Sequence, residues 1–233
     1  MLEYSPRLPR NKGKNFVYPT RKKLRTFKAK TLNSYVSKSI HMYQKRNKDL
    51  DVIALYSGDY KARFYLRQIS KLARLPLKTC QNILFNLEKE RILRSKVEGK
   101  NKYFSLNLGN IQTRSYLLKS EIHKTDLFLE KYPEFKTFLK SINTNSILIA
   151  FGSFAKFKAD KGSDVDLFIV SNNEEVWPFH LLPYKIHQNS LGEGSFKNAV
   201  TERETLVKEI EANHIILNNH SAYVNIIWEY YKK

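Results

Sequence analysis

One stretch constrains this chain more than any other: Ser146 to Val170, SILIAFGSFAKFKADKGSDVDLFIV. An apolar run, Ile147 to Phe151, ends on Gly152-Ser153. Ten residues later comes Asp164-Val165-Asp166, and at once a second apolar run, Leu167 to Val170. Short apolar runs bounded by glycine and polar residues predict two buried strands joined by a turn and a short helical segment. Side chains alternate along a strand, so Asp164 and Asp166 are predicted on one face while Val165 points into the core. Two carboxylates side by side repel unless a cation lies between them, and hard oxygen ligands of this kind suit Mg²⁺ or Mn²⁺. Gly152 permits close backbone approach, and Ser153 offers a hydroxyl and an N–H to an anion.

Gly-Ser, a ten-residue spacer and Asp-x-Asp, flanked by strands, resembles the nucleotidyltransferase superfamily that includes DNA polymerase beta. The wording GSFAKFKADKGSDVDL is closer to the minimal nucleotidyltransferases, especially archaeal chains with a winged helix in front. The resemblance implies a small mixed sheet flanked by helices. It also implies transfer of a nucleoside monophosphate from ATP or another NTP, with Mg²⁺ or Mn²⁺, to an acceptor hydroxyl. Gly152, Ser153 and Lys156 would bind the nucleotide, while Asp164 and Asp166 would be catalytic and hold the metal. The acceptor is either a protein tyrosine, as in relatives that modify a HEPN-type toxin, or a nucleic-acid 3′ end. The family usually places a third carboxylate on a later strand. Here that strand reads YKIHQN, with Lys185, His187 and Gln188 and no acid. Glu193, in Gly-Glu-Gly, is the nearest substitute, and His187 is either a ligand or structural.

Charge divides the chain. Of a net charge of +19 over 233 residues, positions 1–41 hold a surplus of ten and 42–112 a surplus of nine, while 113–233 balance. A basic front half and a neutral back half predict different partners, with nucleic acid at the front. Residues 1–41 read as a basic extension: Pro6, Pro9 and Pro19 break helices, RKKLR spans 21–25, and a helix is predicted from Thr31. Three readings fit this extension: an arm that follows phosphates, a solvated tail, or sequence ahead of a natural start at Met42. The first thirty residues are too basic for a secretory signal, and no apolar run is long enough to cross a membrane, so a cytoplasmic protein is expected. A single cysteine, Cys80, excludes an internal disulfide framework.

Residues 42–112 predict a winged helix-turn-helix. Leu50, Val52, Ile53 and Leu55 suit a first helix, and Leu66, Ile69, Leu72 and Ala73 a second. Pro76 marks a turn, and a third helix reaches about Glu90 with Ile83, Leu84 and Leu87 inward. Strands Ile92–Val97 and Lys102–Leu108 follow, joined by hairpin-type residues. Lys78, Gln81 and Asn82 on the third helix, with Arg94, Lys96, Lys100 and Lys102 on the wing, are the candidate nucleic-acid contacts. Residues 113–142 predict linker helices, one amphipathic through Tyr116, Leu117, Ile122, Leu127 and Leu129. Another, Glu134 to Ile142, follows Pro133. Residues 143–233 predict the transferase domain, ending in helix Thr201–Ala212, strand His214–Leu217 and helix Ser221–Tyr231, with Glu202, Glu204, Glu209 and Glu211 on a solvated face. The fold class is therefore α/β (α+β). A second function fits the same residues: a DNA-binding regulator whose transferase domain only senses nucleotide.

Overall fold

Asn47 caps the first helix, its side-chain oxygen accepting from the N–H groups of Asp49 and Leu50 at 3.2 and 3.4 Å. The computed structural model of the protein describes residues 47–160 and 162–232. The basic extension, the helix from Thr31 and the candidate start at Met42 lie outside the described residues. Helix α1 (Lys48–Ala54) buries Val52 and Ile53. Strand β1 (Phe64–Tyr65) runs into α2 (Leu66–Ala73), where Gln68 accepts from the Tyr65 N–H at 3.0 Å. Arg74, left-handed at φ 53°, ends that helix. Pro76 then precedes α3 (Leu77–Lys89), which turns Cys80, Ile83, Leu84 and Leu87 inward. Strands β2 (Leu93–Glu98) and β3 (Asn101–Leu106) form a hairpin turned at Gly99, with φ +60°. β1 pairs antiparallel with β3, giving a sheet of order β1-β3-β2. Leu72, predicted inward, is exposed on α2.

Helix α4 (Ile111–Lys131), capped by Asn110, packs against α1 and against strand Ile215–Asn218 of the second half. Its buried stripe corrects the sequence reading. Thr113, Leu117, Ser120, Glu121, Thr125 and Phe128 face inward at helical spacing, whereas Ile122 is 44% exposed. Most of these residues are polar, so a search for apolar periodicity misses the stripe. They tolerate burial because they have partners: Thr113 donates to the Asn107 carbonyl at 2.9 Å, and Thr125 to the Ile216 carbonyl at 2.6 Å.

Helix α5 (Phe135–Lys140) follows Pro133, and a second sheet begins. Its strands are β4 (Ile147–Phe151), β5 (Val165–Val170), β6 (Ile186–Leu191) and β7 (Ile215–Asn218), in the order β6-β5-β4-β7. β5 and β6 run parallel and the other neighbours antiparallel, so the fold is mixed α/β. β4 is buried along its whole length, while β6 is an exposed edge. One face packs Leu148, Ala150, Val165, Leu167 and Ile169 against Phe128, Phe135 and Phe138. The other packs Ile149, Phe168 and Ile216 against Phe196, Tyr223 and Trp228.

The segment predicted as helix Thr201–Ala212 is two helices, α7 (Glu193–Glu202) and α8 (Thr205–Ala212), broken at Arg203 with φ 58°. Gly-Glu-Gly is therefore the start of α7 rather than a free turn. Glu211, placed on a solvated face by the sequence, is buried and pairs with Arg203 while accepting from the Tyr231 hydroxyl. Helix α9 (His220–Lys232) completes the described chain.

Candidate nucleotide site

The two halves of the Gly-Ser and Asp-x-Asp stretch meet through the register of β4 and β5. Phe151 pairs with Asp166, so the backbone leaving β4 at Gly152 runs beside the two carboxylates. A four-residue helix, α6 (Gly152–Ala155), follows directly. It is pinned from below by Phe154, fully buried among Tyr132, Phe135 and Tyr184 with ring centroids 4.9 to 5.8 Å away. Gly152 is held at φ +65°, and a Cβ there would strike Asp166 Oδ2 head-on and lie 3.1 Å from its Cγ. Glycine is thus required twice, by backbone conformation and by the closeness of Asp166. Ser153 is half-buried at this turn, its carbonyl accepting from the Lys158 N–H at 3.0 Å. Lys156 caps the helix with its side chain exposed.

The approach to Asp164 is also ordered locally. Asp160 accepts from the Gly162 N–H and the Ser163 hydroxyl, each at 3.0 Å. The Ser163 hydroxyl is the main cause holding the Asp160 carboxyl below its usual range. Val165 is fully buried, whereas the side chains of Asp164 and Asp166 are 37% and 33% exposed, so the predicted alternation holds. The neighbouring strand supplies what faces them. His187 pairs in register with Asp166, with Nε2 3.5 Å from Asp164 Oδ2 and Nδ1 3.7 Å from Asp166 Oδ1. Lys185 Nζ lies 3.5 Å from Asp164 Oδ2. Alternation along Tyr184–Asn189 was the available signal that 185 and 187 share one face of their strand; that this face meets the carboxylates follows from the pairing with β5.

Glu193 does not approach this site. β6 runs parallel to β5, so its start faces the carboxylates and its end, at Leu191, lies beside Val170. Glu193 begins α7 beyond that end and pairs with Lys197. Four strand steps carry the chain from His187 to Leu191, about 13 Å at ~3.3 Å per residue, and Glu193 lies beyond that end. Among the described residues no group of three or more His, Cys, Asp or Glu is set to hold a metal ion. What the site offers a divalent cation is two half-exposed carboxylates against a glycine turn. That donor set suits a hard ion whose remaining ligands are phosphate oxygens and water.

Residues 132–228 match the family model of the nucleotidyltransferase domain. The matched segment begins at Tyr132, in the aromatic cluster under α6, and runs through the second sheet to Trp228 in α9. Both Gly152-Ser153 and Asp164-Val165-Asp166 fall inside it. Transfer of a nucleoside monophosphate is the general class of chemistry this similarity supports. No curated protein and no solved structure matches the chain.

The candidate nucleic-acid residues, all outside the matched segment, divide between two faces of the first sheet. Lys78 and Gln81 lie exposed on α3, with Lys78 Nζ 3.4 Å from Gln81 Oε1 and Asn82 beside them. Gln81, Lys100 and Lys102 border a groove of about 750 Å³ between α3 and the hairpin, where Lys102 is paired with Glu88 at 2.8 Å. Arg94 and Lys96 point to the other face, where they border a smaller hollow of about 380 Å³ with Lys61, Arg63 and Tyr103. The period-2 alternation of β2 enforces this split, which the sequence reading had merged into one wing.

Sequence reading also missed a buried ionic cluster that ties α4 to the second sheet. Lys124 Nζ lies 2.8 Å from Glu121 Oε2 and donates to Ser57 at 3.0 Å, and His214 Nε2 is 3.2 Å from Glu121 Oε2. Burial alone would raise the Glu121 carboxyl, but Lys124 and His214 outweigh it and pull it down to about 2. His123, assigned no role from sequence, lies 3.1 Å from Asp51. No helix among the described residues is long and apolar enough to cross a membrane.

Proposed function

We propose that the chain binds an NTP, with ATP the first choice, together with Mg²⁺ or Mn²⁺, and transfers its nucleoside monophosphate to an acceptor hydroxyl. The observation that carries this reading is the packing of Gly152 against Asp166 within a segment similar to nucleotidyltransferase domains. Ser153 would bind the terminal phosphates, with Lys156 adding positive charge. Asp164 and Asp166 would hold the metal, which supplies Lewis-acid polarisation of the α-phosphate when bound. The acceptor oxygen forms the new bond to the α-phosphorus as the bond to the pyrophosphate oxygen breaks.

Helices α1 to α3 with the β2–β3 hairpin would act as a winged helix-turn-helix that brings nucleic acid to the protein. The element order, the sheet order β1-β3-β2 and the exposed polar face of α3 support this. The acceptor is then a nucleic-acid 3′ end or a tyrosine of a partner protein such as a HEPN-type toxin. A second reading, a regulator that senses nucleotide without transferring it, draws support from Lys185 and His187 standing where an acid was sought.

Incubation with α-labelled ATP and Mg²⁺, with RNA oligonucleotides or cell-lysate proteins as acceptors, tests the lead reading. Label transfer that disappears in Asp164→Asn and Asp166→Asn supports the enzyme. Binding of ATP without transfer to any acceptor supports the regulator and overturns the enzyme.

A further inference from the structure

The side chains around the two carboxylates limit how many metal ions the site accepts. On this face Asp166 in β5 pairs in register with His187 in β6, and the residue before each strand, Asp164 and Lys185, stands at its start. Two divalent ions that share a substrate lie about 3.5 to 4 Å apart and repel strongly, so a pair needs several anionic ligands between and around them. Among the described residues the negative charge on this face comes from two carboxylates. The outer side of the pair, where a further anionic ligand would have to stand, is taken by an ammonium and an imidazole. Lys185 Nζ and His187 Nε2 each lie 3.5 Å from Asp164 Oδ2, and the other ring nitrogen of His187 faces Asp166 at 3.7 Å. An imidazole adds no negative charge, and the lysine cancels one.

The edges offer no replacement. The one acid sought for the role, Glu193, sits past the far end of β6 and is paired with Lys197. Asp160, on the approach loop, is engaged by Ser163 and Gly162. The strand alternation that puts His187 opposite Asp166 directs Gln188 to the opposite face, and the next residue on the carboxylate face, Asn189, stands two positions on, beside Phe168.

We infer that this site holds one divalent ion, carried in with the nucleotide phosphates, and that His187, with Lys185 beside it, closes the position of a second. The inference rests on the nucleotide-binding reading above and specifies its metal stoichiometry. The single ion is shared by Asp164, Asp166 and the triphosphate. The acceptor hydroxyl is oriented without a metal of its own.

Equilibrium dialysis of the full chain counts the ions, using Mn²⁺ and an ATP analogue with a non-cleavable α–β bridge. Both bound Mn²⁺ and bound nucleotide are measured, and Mn²⁺ is confirmed by electron paramagnetic resonance. The parent chain is expected to bind one Mn²⁺ per nucleotide, and His187→Asp two. His187 is half-exposed, so the substitution is compatible with folding, and His187→Glu provides a second test at the same position. Two Mn²⁺ per nucleotide in the parent would overturn the inference. So would a count that stays at one in both variants, since His187 would then not be the barrier. If the parent binds neither nucleotide nor Mn²⁺, the nucleotide-site reading itself fails, an outcome distinct from the others.

Discussion

Gly152→Ala separates the stability of the turn from its chemistry. Two penalties act at this residue. The backbone stands at φ +65°, where a side chain costs about 1–2 kcal/mol. For a chain of this size that corresponds to a fall in Tm of roughly 2–8 °C, at about 2–4 °C per kcal/mol. The second penalty falls on Asp166, whose Oδ2 must retreat by roughly 1 Å or more to restore ordinary van der Waals contact with the new methyl. A carboxylate is the far end of a rotatable side chain, so it moves cheaply and little further stability is lost. Its position toward a metal-bound nucleotide would be lost instead, and weakening one charge-assisted contact by about 1.5–3 kcal/mol lowers affinity roughly 10- to 100-fold. Gly99→Ala provides the control, because Gly99 is also left-handed, at φ +60°, with nothing within 4 Å of an added Cβ. Both variants should therefore melt a few degrees below the parent. Only Gly152→Ala should lose Mg²⁺-dependent ATP affinity, by roughly 10- to 100-fold, measured by titration calorimetry. Equal ATP affinity in the two variants would refute the argument that Gly152 exists to admit Asp166.

Lys124→Met leaves Glu121 fully buried beside His214 and should cost about 3–5 kcal/mol in urea unfolding; a loss under 1 kcal/mol would deny the pair its role. In the parent, Glu121 is held at about 2 when folded against 4.5 when free, so its contribution is complete above pH 4.5 and is lost as pH falls toward 2. His220 is held below 6.5, chiefly by burial, so its share is complete above pH 6.5 and declines below it; a urea midpoint that rises on acidification from pH 6.5 to 3 would contradict both signs. Phe154→Ala empties the space under α6 and should destabilise by about 3–5 kcal/mol, read from denaturant midpoints. For nucleic acid, Lys78→Glu with Lys100→Glu should weaken duplex DNA binding and flatten its salt dependence in fluorescence anisotropy, whereas Arg94→Glu with Lys96→Glu, on the other face of the hairpin, should change it less.

The buried cluster at Glu121, Lys124 and His214 has a structural consequence that bears on these tests. α4 contacts α1 in the first half and β7 and α9 in the second, and the ionic groups lie in that shared packing. Ser57, just after α1, joins it through Lys124. Changes on α4 should accordingly be scored for stability before any effect on nucleotide binding is attributed to coupling.

The strand–turn–strand around Gly152 and Asp164 was legible because local rules determine it. Apolar runs, a glycine and period-2 alternation place both carboxylates on one face without any knowledge of the partner strands. The same holds for α2, α3 and the hairpin, where Pro76 and Gly99 mark the breaks. What faces the carboxylates was not legible. It depends on β6 lying parallel and in register with β5, and a single strand does not encode its neighbour or direction; reversal would bring the far end of β6, with Glu193 beyond it, to the site in place of His187. The buried stripe of α4 escaped for a related reason. Thr113, Glu121 and Thr125 look like solvent-facing residues until Asn107, His214 and Ile216, from outside the helix, pair with them. The break at Arg203 was also hidden, since no glycine or proline marks it and its left-handed backbone is sustained by the surrounding packing and the Glu211 pair. Local pattern determined which chemistry the chain carries, and tertiary pairing decided which side chains surround it, because hydrogen bonds and charges are satisfied across space rather than along the chain.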